Sequence, residues 1–256
     1  MCIDIGNTNV SFLIDCPEKI HFNLSTEKSK TEDEYFFNIM SVLNYYGVKK
    51  QSISKIVACS VVPQLNFTFF RLCEKYFGKT LKIIECSDID IKINLPNPNE
   101  VGTDRLVDAY ASTLLANAIP NCTASLIVDF GTATTFNLST KIAEGVWQYE
   151  GGVIFPGINL SLESLKSATA KLPRVSFVKC ESVLAKNTTD AINSGMFFGY
   201  KSLVSGLIEE FKILHPSLFV IATGGLSGII CQQIASVSLI QKDLTLQTIL
   251  QIAKNL

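Results

Sequence analysis

Asp4-Ile5-Gly6-Asn7-Thr8-Asn9 closes a short apolar run at the start of this chain, and Asp129-Phe130-Gly131-Thr132-Ala133-Thr134-Thr135 closes another one 125 residues later. Each reads as a buried strand, then Asp, an apolar residue, Gly, and a tail of hydroxyl and amide side chains. A separation close to half of the 256 residues points to an internal duplication. In each copy the Gly permits a tight turn that exposes backbone N–H groups, and the Asn and Thr side chains add donors, so the concavity suits an anion such as phosphate. The Asp would repel phosphate directly; its place is to hold a cation or an ordered water that bridges to it. Taken alone, either stretch serves equally as a hairpin turn with a capping Asp.

Outward from these two stretches the chain alternates apolar strands with helical periodicity. The pattern predicts a hairpin from Met1 to Ile14, a helix over Glu32–Tyr46 with Ser29, Thr31 or Asp33 as its cap, a strand over Ser54–Val62 and a helix over Phe67–Phe77. A rigid polar connection, Asn94-Leu95-Pro96-Asn97-Pro98-Asn99, precedes a helix over Arg105–Ala118. Then follow a strand over Ser125–Val128, a Gly-rich strand and turn over Gly151–Gly157, a helix over Asn159–Thr169, and one from Asp190 to about Leu214. The last of these carries Gly195, Gly199, Ser202 and Gly206 about one turn apart, which would let another helix approach closely. A strand over Leu218–Ala222 delivers Thr223-Gly224-Gly225-Leu226-Ser227-Gly228.

Composition narrows the function. A net charge of −1 with scattered Lys and Arg offers no field to hold a nucleic acid. Mean hydropathy is +0.29, yet charge, Gly or Asn interrupts every apolar run before the ~18 residues a membrane span needs. The start, Met1-Cys2-Ile3-Asp4, has no signal-peptide pattern, so the expected location is the cytoplasm. Eight dispersed cysteines without a C-x-x-C pair, and two histidines, indicate reduced thiols and neither a disulfide framework nor a zinc site. With so few histidines, acid and base work falls to carboxylates.

Two phosphate loops plus the Gly-rich strand end at 223–228 are the arrangement of the actin-like ATPase and sugar-kinase superfamily, which this chain resembles. The Walker G-x-x-x-x-G-K-[ST] pattern and a G-x-G-x-x-G after a strand are both missing. Within the superfamily, Gly102-Thr103-Asp104-Arg105, with DIGNTN at 4–9, DFGTATT at 129–135, GGVIFPG at 151–157, AKLPRV at 170–175, AKNT at 185–188 and ATGG at 222–225, is similar to type III pantothenate kinase. These motifs stand in the family's order along nearly the whole chain.

The resemblance implies an α/β protein with a duplicated actin-like (ribonuclease H-like) ATPase fold, in two domains with an interdomain ATP cleft. Residues 1–120 would carry the first phosphate loop and the G-x-D-R substrate loop; residues 121–256 would carry the second phosphate loop, the nucleoside-side ATGG turn and a dimerisation helix. It implies transfer of the γ-phosphoryl group of ATP to the primary hydroxyl of pantothenate, with Mg²⁺ and a monovalent cation, K⁺ or ammonium, in a homodimer. By residue, Asp104 matches the catalytic base; Asp4, Ile5, Gly6, Asn7, Thr8, Asn9, Val10 and Ser11 match the first ATP-phosphate loop, and Thr132 the second. Gly102, Thr103, Asp104, Arg105 and Thr188 match the pantothenate contacts, Asp129 the ligand of the monovalent cation, and Asp4 a partner of Mg²⁺ through water. As residues alone, Asp104 serves equally as a helix N-cap, Arg105 as an ion-pair partner of Asp108, and Thr188 as the cap of the next helix. Leu95 departs from the family, which places an aromatic residue there, and only three residues precede Asp4 where relatives have a longer first strand. The competing expectations are a kinase for another small hydroxylated substrate and a nucleotide-binding regulatory protein, a transcriptional accessory factor.

Overall fold

A computed structural model describes every residue from Met1 to Leu256. In chain order its elements are β1 (Cys2–Ile5), β2 (Asn9–Ile14), β3 (Ile20–Ser25), α1 (Glu32–Tyr45), β4 (Ile56–Ser60), α2 (Pro63–Leu72), β5 (Leu81–Ile83), β6 (Lys92–Ile93) and α3 (Thr103–Ala116). The second half holds β7 (Ala124–Phe130), β8 (Ala133–Ala143), β9 (Val146–Pro156), α4 (Ile158–Ser167), α5 (Thr188–Leu214), β10 (Leu218–Thr223), α6 (Ser227–Cys231), β11 (Leu239–Ile240) and α7 (Leu244–Asn255).

The chain divides into two compact units. One comprises Met1–Asp90, Asn99–Val107 and Thr245–Leu256, the other Ile91–Pro98 and Asp108–Leu244. The first has a sheet of order β3-β2-β1-β4-β5, the second a sheet of order β11-β10-β7-β8-β9-β6. Read from its far edge, the second is β9-β8-β7-β10-β11 with β6 added outside β9, the same topology strand for strand. Pairings agree as well: β1 with β2 and β7 with β8 are antiparallel, whereas β1 with β4 and β7 with β10 are parallel. The duplication inferred from two short motifs is therefore a duplication of architecture.

The central strands carry near-continuous apolar runs because helices cover both faces of a sheet. In the second unit, Phe136 and Leu138 of β8 pack against Phe197, Val204 and Ile208 of α5, and on the opposite face Ile127 and Ile221 meet Ala111 of α3. In the first, Ile3, Ile5 and Phe12 pack with Tyr35 of α1 and Phe69 of α2, and the Phe12 and Phe22 rings stack at 4.7 Å. Each fully buried Val, Ile or Phe among them contributes about 1.5–3 kcal/mol. Five of the eight cysteines lie buried, and none is paired. No helix is long and apolar enough to cross a membrane.

Helix starts follow local chemistry. Thr31 forms a capping box with Glu34, its backbone N–H donating to Glu34 Oε2 at 2.8 Å. Pro63, expected only to end a strand, also opens α2, four residues earlier than the apolar periodicity indicated, because its fixed φ suits the first helical turn. The expected continuation to Phe77 is a π turn over Cys73–Phe77, closed by left-handed Gly78.

Candidate active site

The first motif is the β1–β2 hairpin tip. Ile5 and Val10 are fully buried opposite one another, which pins the tip to the core and leaves only their backbones available to a ligand. Asn7, Thr8 and Asn9 are exposed, while Asp4 and Ser11 are half-buried partners across the pair. The turn is closed by Gly6 N–H donating to Asn9 O at 3.0 Å. Thr26, which sequence reasoning did not single out, braces it from β3's end: its hydroxyl donates to Gly6 O at 2.6 Å and its N–H to Thr8 O at 2.9 Å.

The second motif is the β7–β8 turn, at the matching place in the second unit. Asp129 lies opposite Thr135 as Asp4 lies opposite Ser11, and Gly131 N–H donates to Ala133 O at 3.1 Å. Thr132 is exposed, and its carbonyl accepts from Gly157 N–H at 3.0 Å. Three glycines crowd this loop, and at two of them, Gly157 and Gly224, a Cβ has no room. One on Gly157 would lie 2.3 Å from Thr132 O, one on Gly131 3.2 Å from Asp129 Oδ2, and one on Gly224 2.5 Å from Asp129 Oδ1. Gly224 also has φ +88°, where side chains are disfavoured. The Asp129 carboxylate is thus approached by two glycine backbones, and the one at Gly224 also lies close to Phe130 O.

Gly102 to Arg105 lead into α3. The helix begins at Thr103, so Asp104 sits inside the first turn rather than at the cap. Its Oδ1 accepts the Arg105 N–H at 2.8 Å and folds back over Gly102, where a Cβ would come within 2.5 Å of it. Burial pushes the Asp104 carboxyl above the usual carboxylate range, partly offset by that N–H and by the Arg105 charge. Val61, just beyond β4, joins this loop to the first motif: its N–H donates to Ile5 O at 3.1 Å, and its Cγ1 lies 3.9 Å from the position of a Cβ on Gly102. The first unit therefore brings the Gly102–Arg105 loop and the first motif together through Val61. Thr103 and Arg105 are half-buried beside Asp104.

Thr188 is exposed as the first residue of α5, and it is not the cap. Asn187 is, its Oδ1 accepting the Asp190 N–H at 2.9 Å. Leu95 rests on left-handed Gly151, its Cδ2 3.4 Å from where a Cβ would be, and neighbouring Asn94 donates to Glu150 Oε2 at 2.7 Å. Two surface depressions, one lined by Lys179, Cys180, Glu181, Phe198 and Gln233 and one along Cys231–Ile240, contain none of the sequence-predicted site residues.

A family model described as type III pantothenate kinase matches residues 1–210. A type III pantothenate kinase from Halalkalibacterium halodurans is 39% identical over 251 residues, covering 96% of this chain and 95% of that one. One from Persephonella marina is 41% identical over 234 residues, covering 89% of this chain and 88% of that one. Among solved structures, a Campylobacter jejuni protein named for the Baf family of transcriptional activators superposes with TM-score 0.53 at 16% identity, covering 99% of this chain and 96% of that one. A Sinorhizobium meliloti protein named for 2-dehydro-3-deoxygalactonokinase gives 0.53 at 12%, covering 100% of this chain and 96% of that one. At such identities the likeness speaks for the fold alone, the two-domain fold of sugar kinases and actin-like ATPases. With its motifs in order and the curated relatives aligned nearly end to end, this chain belongs to the type III pantothenate kinase family.

Proposed function

We propose that this kinase phosphorylates the primary hydroxyl of pantothenate with ATP, in the cytoplasm, with Asp104 as the group that takes the hydroxyl proton. Membership of the family carries the reaction; the half-buried Asp104 carboxylate, tied through Val61 to the first phosphate loop, supports the role of this residue. Burial makes the carboxylate a stronger base than an exposed one. In a loose phosphoryl transition state orientation matters more than basicity, and the Arg105 N–H holds the carboxylate in one pose.

Backbone N–H groups and side chains of residues 4–11 and Thr132 would bind the ATP phosphates, and Gly102, Thr103, Arg105 and Thr188 would bind pantothenate. The planar Arg105 guanidinium matches the carboxylate of that substrate. Nowhere do three His, Cys, Asp or Glu side chains gather, so Mg²⁺ would be held by the triphosphate and water, with Asp4 as an outer partner. The Asp129 carboxylate suits a monovalent cation, K⁺ or ammonium, which offsets carboxylate charge beside the nucleotide. We read the active form as a homodimer. In its favour, Gly195, Gly199 and Gly206 of α5 are exposed with open space where a Cβ would be, and Val183 and Leu184 ahead of it are 70% and 78% exposed.

ADP release in the presence of ATP, Mg²⁺ and K⁺, with and without pantothenate, tests substrate and reaction together. Release that ignores pantothenate would sink the proposal. Replacing K⁺ or ammonium by a bulky organic cation should abolish activity; equal rates would remove Asp129 from the cation site.

A further inference from the structure

We propose that Lys242 binds a phosphate oxygen of ATP, a contact that rests on the second loop holding the nucleotide. Lys242 follows β11, and its main chain is fastened to the end of β10: its carbonyl accepts the Gly224 N–H and the Thr223 hydroxyl, both at 3.2 Å. Thr223 is the register partner of Asp129 on β7, and Gly224 is the glycine that hems in the Asp129 carboxylate. The lysine is therefore anchored one residue away from the proposed phosphate and cation site, by bonds that do not involve its side chain.

The side chain is placed too. It runs across Gly228, where a Cβ would lie 3.2 Å from Lys242 Cε and 3.8 Å from Nζ, so a side chain at 228 would push against the stem. The residue is exposed, and its ammonium forms no ion pair, whereas Lys141 and Lys212 of the same unit pair with Glu144 and Glu209. An ammonium has three donors and no acceptor and works as a compact point charge, so the ligand matching it is an anionic oxygen rather than a hydroxyl or a base edge. Beside a loop that binds triphosphate, that oxygen belongs to the nucleotide's phosphates.

Equilibrium binding of ATP and of adenosine to Lys242→Met, Lys242→Arg and Gly228→Ala, with KM for pantothenate and the melting temperature measured alongside, tests this. Lys242→Met should weaken ATP about tenfold, leave adenosine and KM for pantothenate as in the wild type, and flatten the salt dependence of ATP binding. Lys242→Arg should retain most of the affinity, and Gly228→Ala, by displacing the stem, should weaken ATP in the same direction as Lys242→Met. Wild-type ATP affinity in Lys242→Met, or equal loss for ATP and adenosine, overturns the assignment. A Thr132→Val arm separates the two levels. If it weakens ATP while Lys242→Met does not, Lys242 alone falls; if neither does, the placement of the phosphates falls with it.

Discussion

At the scale of single residues, the proposed chemistry hangs on one carboxylate in a costly place. Folding raises the Asp104 pKa, so the native state favours its neutral form. Stability from this group is present in full below the unfolded carboxylate value, about 3.9, and is lost as pH rises through the folded value. Asp104→Asn escapes that loss while its amide oxygen can still accept the Arg105 N–H. Its turnover should fall by at least about a hundredfold, with ATP affinity kept. Its melting temperature at pH 7 should exceed that of the wild type, the gap closing as the pH falls below the ordinary carboxylate range. A lower melting temperature at pH 7, or wild-type turnover, would refute this account. In the wild type the acid limb of kcat/KM for pantothenate should lie above the range of an exposed Asp. Gly224→Ala is the opposite case. It combines φ +88° with a Cβ 2.5 Å from Asp129 Oδ1, so it should cost about 1–3 kcal/mol in chemical denaturation and abolish the response to K⁺. A variant as stable and as cation-responsive as the wild type would show that the turn relaxes freely.

At the scale of elements, the motif residues depend on neighbours that hold them. The first loop is braced by Thr26 and the second by Gly157, and α5 starts where Asn187 and Asp190 bond reciprocally, Nδ2 to Oδ2 at 2.7 Å and N–H to Oδ1 at 2.9 Å. Removing that cap by Asn187→Ala should cost about 1 kcal/mol, a drop of about 2–4 °C in Tm for a chain of this size. Fraying there also loosens Thr188, so KM for pantothenate should rise while KM for ATP stays put. Unchanged KM values alongside the lowered Tm would leave Asn187 as a helix cap and nothing more.

At the scale of the whole molecule, two copies of one architecture present two loops with related but unequal detail: three residues, Gly6-Asn7-Thr8, separate the strands in one, and two, Gly131-Thr132, in the other. The proposed homodimer has a direct test, if Asp104 of one subunit and Thr188 of its partner serve the same pantothenate. Mixing inactive Asp104→Asn and Thr188→Val proteins should then restore at most about a quarter of wild-type activity per chain on random subunit exchange. No recovery after verified exchange, or a fully active monomer by light scattering, would show a complete site within each subunit.

The sequence by itself determined the elements whose signals are local: the β1–β2 hairpin, α1, α3 and the strands β4, β7 and β10, each within a few residues. It also determined the two related loops, because D-x-G followed by hydroxyl and amide side chains is a backbone instruction as much as a chemical one. The short strands β5, β6 and β11 and the start of α2 were not legible. Two or three residues carry no periodicity, and such strands exist because a neighbouring strand offers hydrogen-bonding partners. Only tertiary structure decided that Gly131, Gly157 and Gly224 converge on one loop, since their close contacts join residues up to 95 positions apart. It likewise decided that Val61 links Asp104 to the first loop and that the stem of Lys242 crosses Gly228, for these juxtapositions arise when strands distant in sequence lie side by side and carry their ends with them.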